Sequence, residues 1–200
     1  MKEFYNYSGG ALGSDSEWDR IGRLYGFNNH FHFYHGKKTP LGNIELTEEE
    51  LEEGWKHVLK ANETLKRNPN NYKSLLSRNW FQVKDSEIII AISTFKLLPK
   101  GNYFDSQPKP TKQVEGGTSW AIQMAIDDKK PWVLVFDQNE EEGFGWNIWN
   151  YVFNDWQSFP EEEVYLLEKY AGIGTRNINE KGKQAIETTY KNTIEKWKPN

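Results

Sequence analysis

Three glycine-bearing segments carry the residue types that hold an anion: Tyr7-Ser-Gly-Gly-Ala-Leu-Gly-Ser-Asp15, Glu115-Gly-Gly-Thr-Ser119 and Ala171-Gly-Ile-Gly-Thr-Arg176. Each is expected to follow a strand and precede a helix. Glycine tolerates positive φ and lets backbone N–H groups come close to a ligand. A helix N-terminus adds unpaired donors and a partial positive charge. Hydroxyls at Ser8, Ser14, Thr118, Ser119 and Thr175 are further candidate donors. One such segment serves equally well as a plain tight turn. Three at equivalent ends of one parallel sheet converge on the crevice where such sheets bind ligands. The segment Ser77-Arg-Asn-Trp80 adds Arg78, whose planar fork suits a phosphate or carboxylate. A salt bridge on a helix surface is the competing role for that arginine.

The elements that must position these residues are legible as strands and helices in alternation. Phe4 to Tyr7, Ile88 to Ile92, Trp132 to Phe136 and Tyr170 to Ile173 are short apolar runs, expected as strands covered on both faces. His30-Phe-His-Phe-Tyr-His35 alternates and is expected near a sheet edge. Helical spacing recurs at Trp18, Ile21, Leu24 and Tyr25; at Leu51, Trp55, Leu59 and Leu65; at Ala121, Ile122, Ala125 and Ile126; and at Ile186, Tyr190, Ile194 and Trp197. Thr47 and Glu50 form a capping box for the second of these. The expected fold is α/β: a Rossmann-like, doubly wound, mostly parallel sheet with helices on both faces. A single domain over residues 1–200 is expected, with a loop insertion at 93–115 (Pro99, Gly101, Pro108, Pro110) and an aromatic insertion at 138–163 with the shape of a small hairpin.

Composition excludes several classes of function. A net charge of −4 opposes broad nucleic-acid binding, which needs a basic face. The absence of cysteine removes disulfides, thiolate zinc sites and thiol nucleophiles, and fits a reducing cytoplasm. No stretch approaches the length of a membrane span, and the N-terminal residues lack an apolar signal core. Aromatic residues make up 15% of the chain, more than a core requires, so some are candidates for a ligand surface. His30, His32 and His35 invite a metal, but on a strand His30 and His32 share a face that His35 does not, and no acidic partner stands out. No metal and no cofactor is expected; a polar strand edge facing pocket or solvent is the expectation for these histidines. Glu48 to Glu50, with Glu52 and Glu53, complement a helix N-terminus, while Glu140 to Glu142 and Glu161 to Glu163 read as solvated turns. Trp146, Trp149 and Trp156 fit a satellite core, a lid that stacks on a base, or a subunit interface.

Taken in order, Ser8 to Asp15, Arg78-Asn79, Ile88 to Ser93 and Gly116-Gly-Thr118 resemble the SLOG superfamily, which includes DprA-type proteins, LOG-type cytokinin phosphoribohydrolases and nucleotide-sensing domains of bacterial immunity. The Gly172 to Arg176 element comes last instead of first, as in a circular permutation that would slot the final strand and helix beside the N-terminal strand. The likeness covers about three quarters of the chain, omitting mainly 93–113 and the aromatic insertion. It implies a pocket for a nucleotide or an ADP-ribose-like compound. Ser8, Gly9, Gly10, Gly116, Gly117, Thr118, Ser119, Gly174, Thr175 and Arg176 would surround phosphate or ribose. Arg78, Asn79 and Trp80 would flank them, Trp80 or Trp120 stacking a base, and Asp15 would hold the glycine turn or a ribose hydroxyl. The superfamily commonly self-associates, so a homo-oligomer is expected.

LOG-type hydrolases place a glutamate shortly after Gly-Gly-Thr, whereas Thr118 here is followed by Ser-Trp-Ala-Ile-Gln123. Glycosidic hydrolysis calls for a carboxylate. Asp15, Glu17, Glu115 and Asp137 are the available substitutes, with Glu17 also suited to capping a helix. Two functions therefore follow from the resemblance. One is a binding module that sequesters a cyclic ADP-ribose-like or cyclic nucleotide signal, a sponge against bacterial immune signalling that would suit a viral protein in a host cytoplasm. The other is a nucleotide N-glycosidase using a relocated acid. DNA handling of the DprA type is disfavoured by the acidity.

Overall fold

The computed structural model describes residues 2–99, 110–139 and 145–198; Gly101, Pro108, Gly143 and Glu140 to Glu142 lie outside the described residues. Among the described residues, ten strands and five α-helices run in the order β1 (Tyr5–Ser8), α1 (Ser14–Leu24), β2 (Asn29–Tyr34), β3 (Ile44–Glu45), α2 (Glu48–Leu65), α3 (Lys73–Val83), β4 (Ile88–Ser93), β5 (Phe95–Leu97), β6 (Lys112–Val114), α4 (Thr118–Asp127), β7 (Trp132–Asp137), β8 (Gly145–Asn150), β9 (Asp155–Ser158), β10 (Lys169–Gly174) and α5 (Glu180–Lys196). Eight strands form one sheet in the order β3-β2-β1-β10-β4-β7-β8-β9. The pairs from β3 through β7 are parallel, and the β8–β9 hairpin closes the far edge antiparallel. The expected Rossmann-like α/β fold is therefore present, with the last strand between β1 and β4.

Burial explains the sheet. All six residues of β4 are buried. Ile88, Ile90 and Ile92 pack into one apolar layer, and Ile89 and Ala91 into the other. A strand with two dry faces needs helices on both, and the crossovers supply them. Helices α1 and α5 bring Trp18, Ile186 and Tyr190 to one face. Helices α2, α3 and α4 bring Val58, Trp80, Phe81 and Trp120 to the other. The chain leaves β1 through α1 toward β2, and leaves β4 through α4 toward β7, in the opposite direction across the sheet. Right-handed crossovers of opposite direction place their helices on opposite faces, and a crevice opens where the direction reverses. Strand β10 forms its floor.

Local signals act as expected at several ends. Thr47 Oγ1 accepts from Glu50 N (3.2 Å) and the Glu50 carboxylate accepts from Thr47 N (2.8 Å), closing the capping box of α2. Asn179 Oδ1 accepts from Gly182 N at 2.9 Å to start α5. Two regions differ from expectation. The 93–115 segment contains the β5–β6 hairpin, and residues 100–109 lie outside the described part. The aromatic stretch is the sheet's own edge hairpin. Trp149 and Trp156 bury into one layer and Trp146 into the other, so these rings are core on both faces of the sheet.

The histidine strand is the larger correction. His30 and His32 are buried, one strand in from the edge, because α1 covers them and Asp19 on that helix is the acidic partner. Asp19 Oδ2 lies 3.0 Å from His32 Nε2 and 3.4 Å from His30 Nδ1, and Arg23 grips the same carboxylate from solvent at 2.7 Å. Asp19, His30 and His32 stand close enough together to hold a metal ion. Each ring nitrogen, however, already has a hydrogen-bond partner. His32 Nδ1 meets Ser8 Oγ at 2.6 Å, and His30 Nε2 meets the Phe27 carbonyl at 2.7 Å. Asn6 Oδ1 accepts from Gly172 N, which turns Asn6 Nδ2 toward His30 Nδ1 at 3.1 Å. His30 is thus a donor at Nε2 and an acceptor at Nδ1, the neutral form. His35 stands apart, its Nδ1 3.0 Å from the Leu46 carbonyl.

Burial pushes the His30 pKa below its ordinary 6.5. The unfolded chain therefore takes up a proton near pH 6.5 that the native state refuses. This stabilising contribution is fully present above that pH and is lost as pH falls toward the lower native value. Although burial raises it, hydrogen bonds from Arg23 and His32 hold Asp19 below the usual carboxylate range, so Asp19 acts only at more acidic pH. Between pH 7.5 and 5.5 the melting temperature should fall, and more steeply in the wild type than in His30→Gln. Equal slopes in a thermal melt series would place the titrating group elsewhere.

Candidate functional site

A cavity of about 460 Å³ opens at the carboxyl ends of β1, β10 and β4. Its lining includes Ala11 and Asp15 after β1, Ser93 and Thr94 at the end of β4, and Ile173 to Arg176 at the end of β10. Glu115 to Thr118, at the start of α4, form another wall. Helix α3 supplies the rest: Leu75, Arg78, Asn79 and Gln82 fall at helical spacing and turn one stripe of the helix toward the cavity. The three glycine segments therefore share one hollow.

They do not play one role. The first segment keeps its donors for itself. Gly9 N and Ala11 N donate to Asp15 Oδ2 (3.1 and 3.3 Å), and Gly10 N donates to Ser8 Oγ at 3.2 Å. Ser8, fully buried, is bound to His32 and does not line the cavity. Gly9 and Gly10 are small because a Cβ at Gly9 would stand 3.0 Å from the Arg78 guanidinium, and one at Gly10 would stand 2.8 Å from His32 Cβ. This turn is a floor for the arginine. Ser14 Oγ donates to the Thr175 carbonyl at 2.8 Å, fastening the first segment to the third.

The second segment keeps its donors open. The N–H groups of Gly116, Gly117 and Thr118 meet no acceptor among the described residues. A Cβ built on Gly116 or Gly117 would meet nothing within 4 Å. Thr118 lines the cavity, whereas Ser119 turns back, donating to the Gly116 carbonyl at 2.8 Å and accepting from Arg67 at 3.0 Å.

Arg78 is the exceptional side chain. It is 8% exposed, yet it forms no hydrogen bond or ion pair among the described residues, and its Nε is buried without a partner. Burial pushes its pKa down, with the nearby Asp15 opposing and Arg176 adding to the effect. The group remains a cation, since guanidinium does not deprotonate in proteins. Burial pushes the Asp15 pKa up, while the Ala11 N–H, Arg78, His32 and the Gly9 N–H pull it down. Two arginines and three open backbone donors face one cavity, a donor set with the chemistry to hold an anion.

Several expected placements change. Arg78 and Asn79 sit in the middle of α3, and Arg78 is no surface salt bridge. Trp80 points away from the cavity, because α2 and α3 pack tightly there. Its ring stacks on His57 with centroids 3.4 Å apart and its Nε1 donates to Glu53 at 2.9 Å. Trp120 is also core. The ring available for stacking is Tyr72, 57% exposed at the cavity mouth, one helical turn before Leu75 and Leu76. Nothing about Asn70-Asn-Tyr72 marks it in the sequence. Among the candidate acids, Asp15 and Glu115 line the cavity. Glu115 accepts from Thr94 Oγ1 at 2.8 Å. Glu17 pairs with Arg20 on the exposed face of α1, and Asp137 is buried at the end of β7, accepting from Asn139 N.

No protein-family model matches the chain, and no curated protein or solved structure matches it either.

Proposed function

We propose that this chain binds a phosphate-bearing, nucleotide-derived small molecule in the crevice and holds it without turnover. The observation that carries this reading is Arg78, a buried cation without a partner that faces a cavity lined by open N–H groups. Burying an unpaired charge costs stability, and a ligand phosphate would offset that cost. The rest of the site suits a nucleotide. Tyr72 and Leu75 offer a face for a base, and Thr118 and Thr175 offer hydroxyls to a ribose or phosphate. The resemblance of the motif order to the SLOG superfamily supports the same ligand class, and β10 does lie beside β1, where the permuted order needs it. Within that class the ligand would be a cyclic ADP-ribose-like or cyclic nucleotide signal, and sequestering it would blunt a bacterial immune response.

Mass spectrometry of the small molecules released by denaturing the purified protein tests this directly. An intact nucleotide-derived anion is the expected result. Its absence, together with flat calorimetric titrations against a nucleotide panel, would overturn the reading. A hydrolytic reading rests on Glu115, the lining carboxylate that is not tied to backbone donors as Asp15 is. Free base among the products, lost in Glu115→Gln, would select it.

A further inference from the structure

A second cavity, of about 540 Å³, adjoins the first and shares Ala11, Tyr72, Leu75, Arg78 and Arg176 with it. Its own end is basic. Lys37 and Lys38, on the segment after β2, line it, and neither forms an ion pair among the described residues. Lys38 lies over the Tyr34 ring, 5.7 Å away. Lys73 also lines the chamber but is committed to Glu52. Thr39 Oγ1, in the same lining, is buried without a hydrogen-bond partner.

Either chamber alone falls within the roughly 300–1,000 Å³ of an ordinary small-molecule site. Together they meet at Arg78 and Arg176, two guanidiniums without a carboxylate partner among the described residues. A nucleoside monophosphate would fill the first chamber and bring nothing to the second. We infer that the ligand has two bulky ends joined through phosphate: the linking phosphate lies between Arg78 and Arg176, and the second end enters the annex toward Lys37 and Lys38. This rests on the nucleotide reading of the first chamber and adds the shape of the ligand. The linkage itself has two chemical sources, a pyrophosphate and a phosphodiester, which share a central anion and two ring-bearing ends.

Calorimetry with AMP, ADP-ribose and the linear 5′-phosphorylated dinucleotide pApA separates these cases. The expected result is that ADP-ribose or pApA binds the wild type roughly ten-fold or more tighter than AMP, the gain of at least one charge-assisted contact. Whichever probe gains identifies the linkage. The double variant Lys37→Glu/Lys38→Glu should erase that gain and leave AMP within about two-fold, because these exposed lysines do not reach the first chamber. AMP binding as tightly as both longer probes, or a gain that survives the double variant, would overturn the two-ended ligand and leave the nucleotide site standing. Failure of all three probes to bind the wild type would overturn the nucleotide site as well.

Discussion

Arg78→Met is expected to make the ligand-free protein more stable and to weaken ligand binding severely. The two effects have one cause. In the native state Arg78 is 8% exposed, its Nε has no partner, and burial together with Arg176 disfavours its charge. Removing one member of a satisfied buried pair usually destabilises by several kcal/mol; removing a buried charge that lacks a hydrogen-bonded partner relieves a penalty instead. Methionine approximates the aliphatic stem and fills the space with little strain. A gain of about 1–2 kcal/mol is expected, the usual size for correcting one unfavourable site, which is about 2–4 °C of melting temperature per kcal/mol in a domain of this size. Asp15 keeps two backbone donors, Gly9 N and Ala11 N, when the arginine is gone. Each charge-assisted hydrogen bond to a phosphate contributes about 1.5–3 kcal/mol, so losing a bidentate grip should weaken binding by roughly a hundred-fold or more. Arg78→Lys retains the charge without the fork and should fall between, with no stability gain. Differential scanning fluorimetry and calorimetry on the three proteins check this. A lower melting temperature for Arg78→Met would mean that the guanidinium is a structural counterion of Asp15 and not a poised receptor.

Elements that bury a face were the legible part of the fold. Ile88 to Ile92 demanded helices on both sides, Thr47 and Glu50 marked a helix start, and the late Tyr170 run marked a strand covered on both faces. Helix α3 escaped because its two faces ask for different things. Leu76, Trp80 and Val83 turn to the core, while Leu75, Arg78, Asn79 and Gln82 turn to the cavity. The mixture blurs an apolar stripe. Trp80 illustrates the limit of residue type: a tryptophan next to an arginine suggests a base platform, but its neighbours on α2, His57 and Glu53, take both its ring face and its N–H. His30 and His32 were misplaced for the same reason. Their partner Asp19 lies on a different element, and a contact across elements leaves no spacing in the chain to read. The candidate site was legible as a set of glycine turns. Which turns spend their donors internally was not, because that depends on where Asp15 and Ser8 aim their oxygens.

The glycines themselves give the sharpest contrast, between Gly13→Ala and Gly117→Val. Gly13 opens α1 at φ 101°, and a Cβ there would lie 2.5 Å from both Cα and the carbonyl oxygen of Arg176. Neither atom can retreat easily. Ser14 N and Ser14 Oγ both donate to the Thr175 carbonyl, at 2.9 and 2.8 Å, and Thr175 N donates to the Ile92 carbonyl at 2.8 Å. An alanine must therefore accept a left-handed backbone, costing about 1–3 kcal/mol, and also push the third turn off the sheet. A total near 3 kcal/mol or more is expected, a large share of the roughly 5–15 kcal/mol that holds a domain together. The melting temperature should fall by about 6–12 °C. Gly117 is the opposite case. Its φ of −70° and ψ of −30° suit any residue, and nothing lies within 4 Å of an added Cβ. Valine there should move stability by less than about 1 kcal/mol, yet its branches would stand over the open N–H groups of α4 and keep a phosphate from reaching them. Melting curves and ligand titrations on the two variants separate the roles. Gly13→Ala melting with the wild type would deny that the first and third turns are locked together, and full affinity in Gly117→Val would move the anion away from the start of α4.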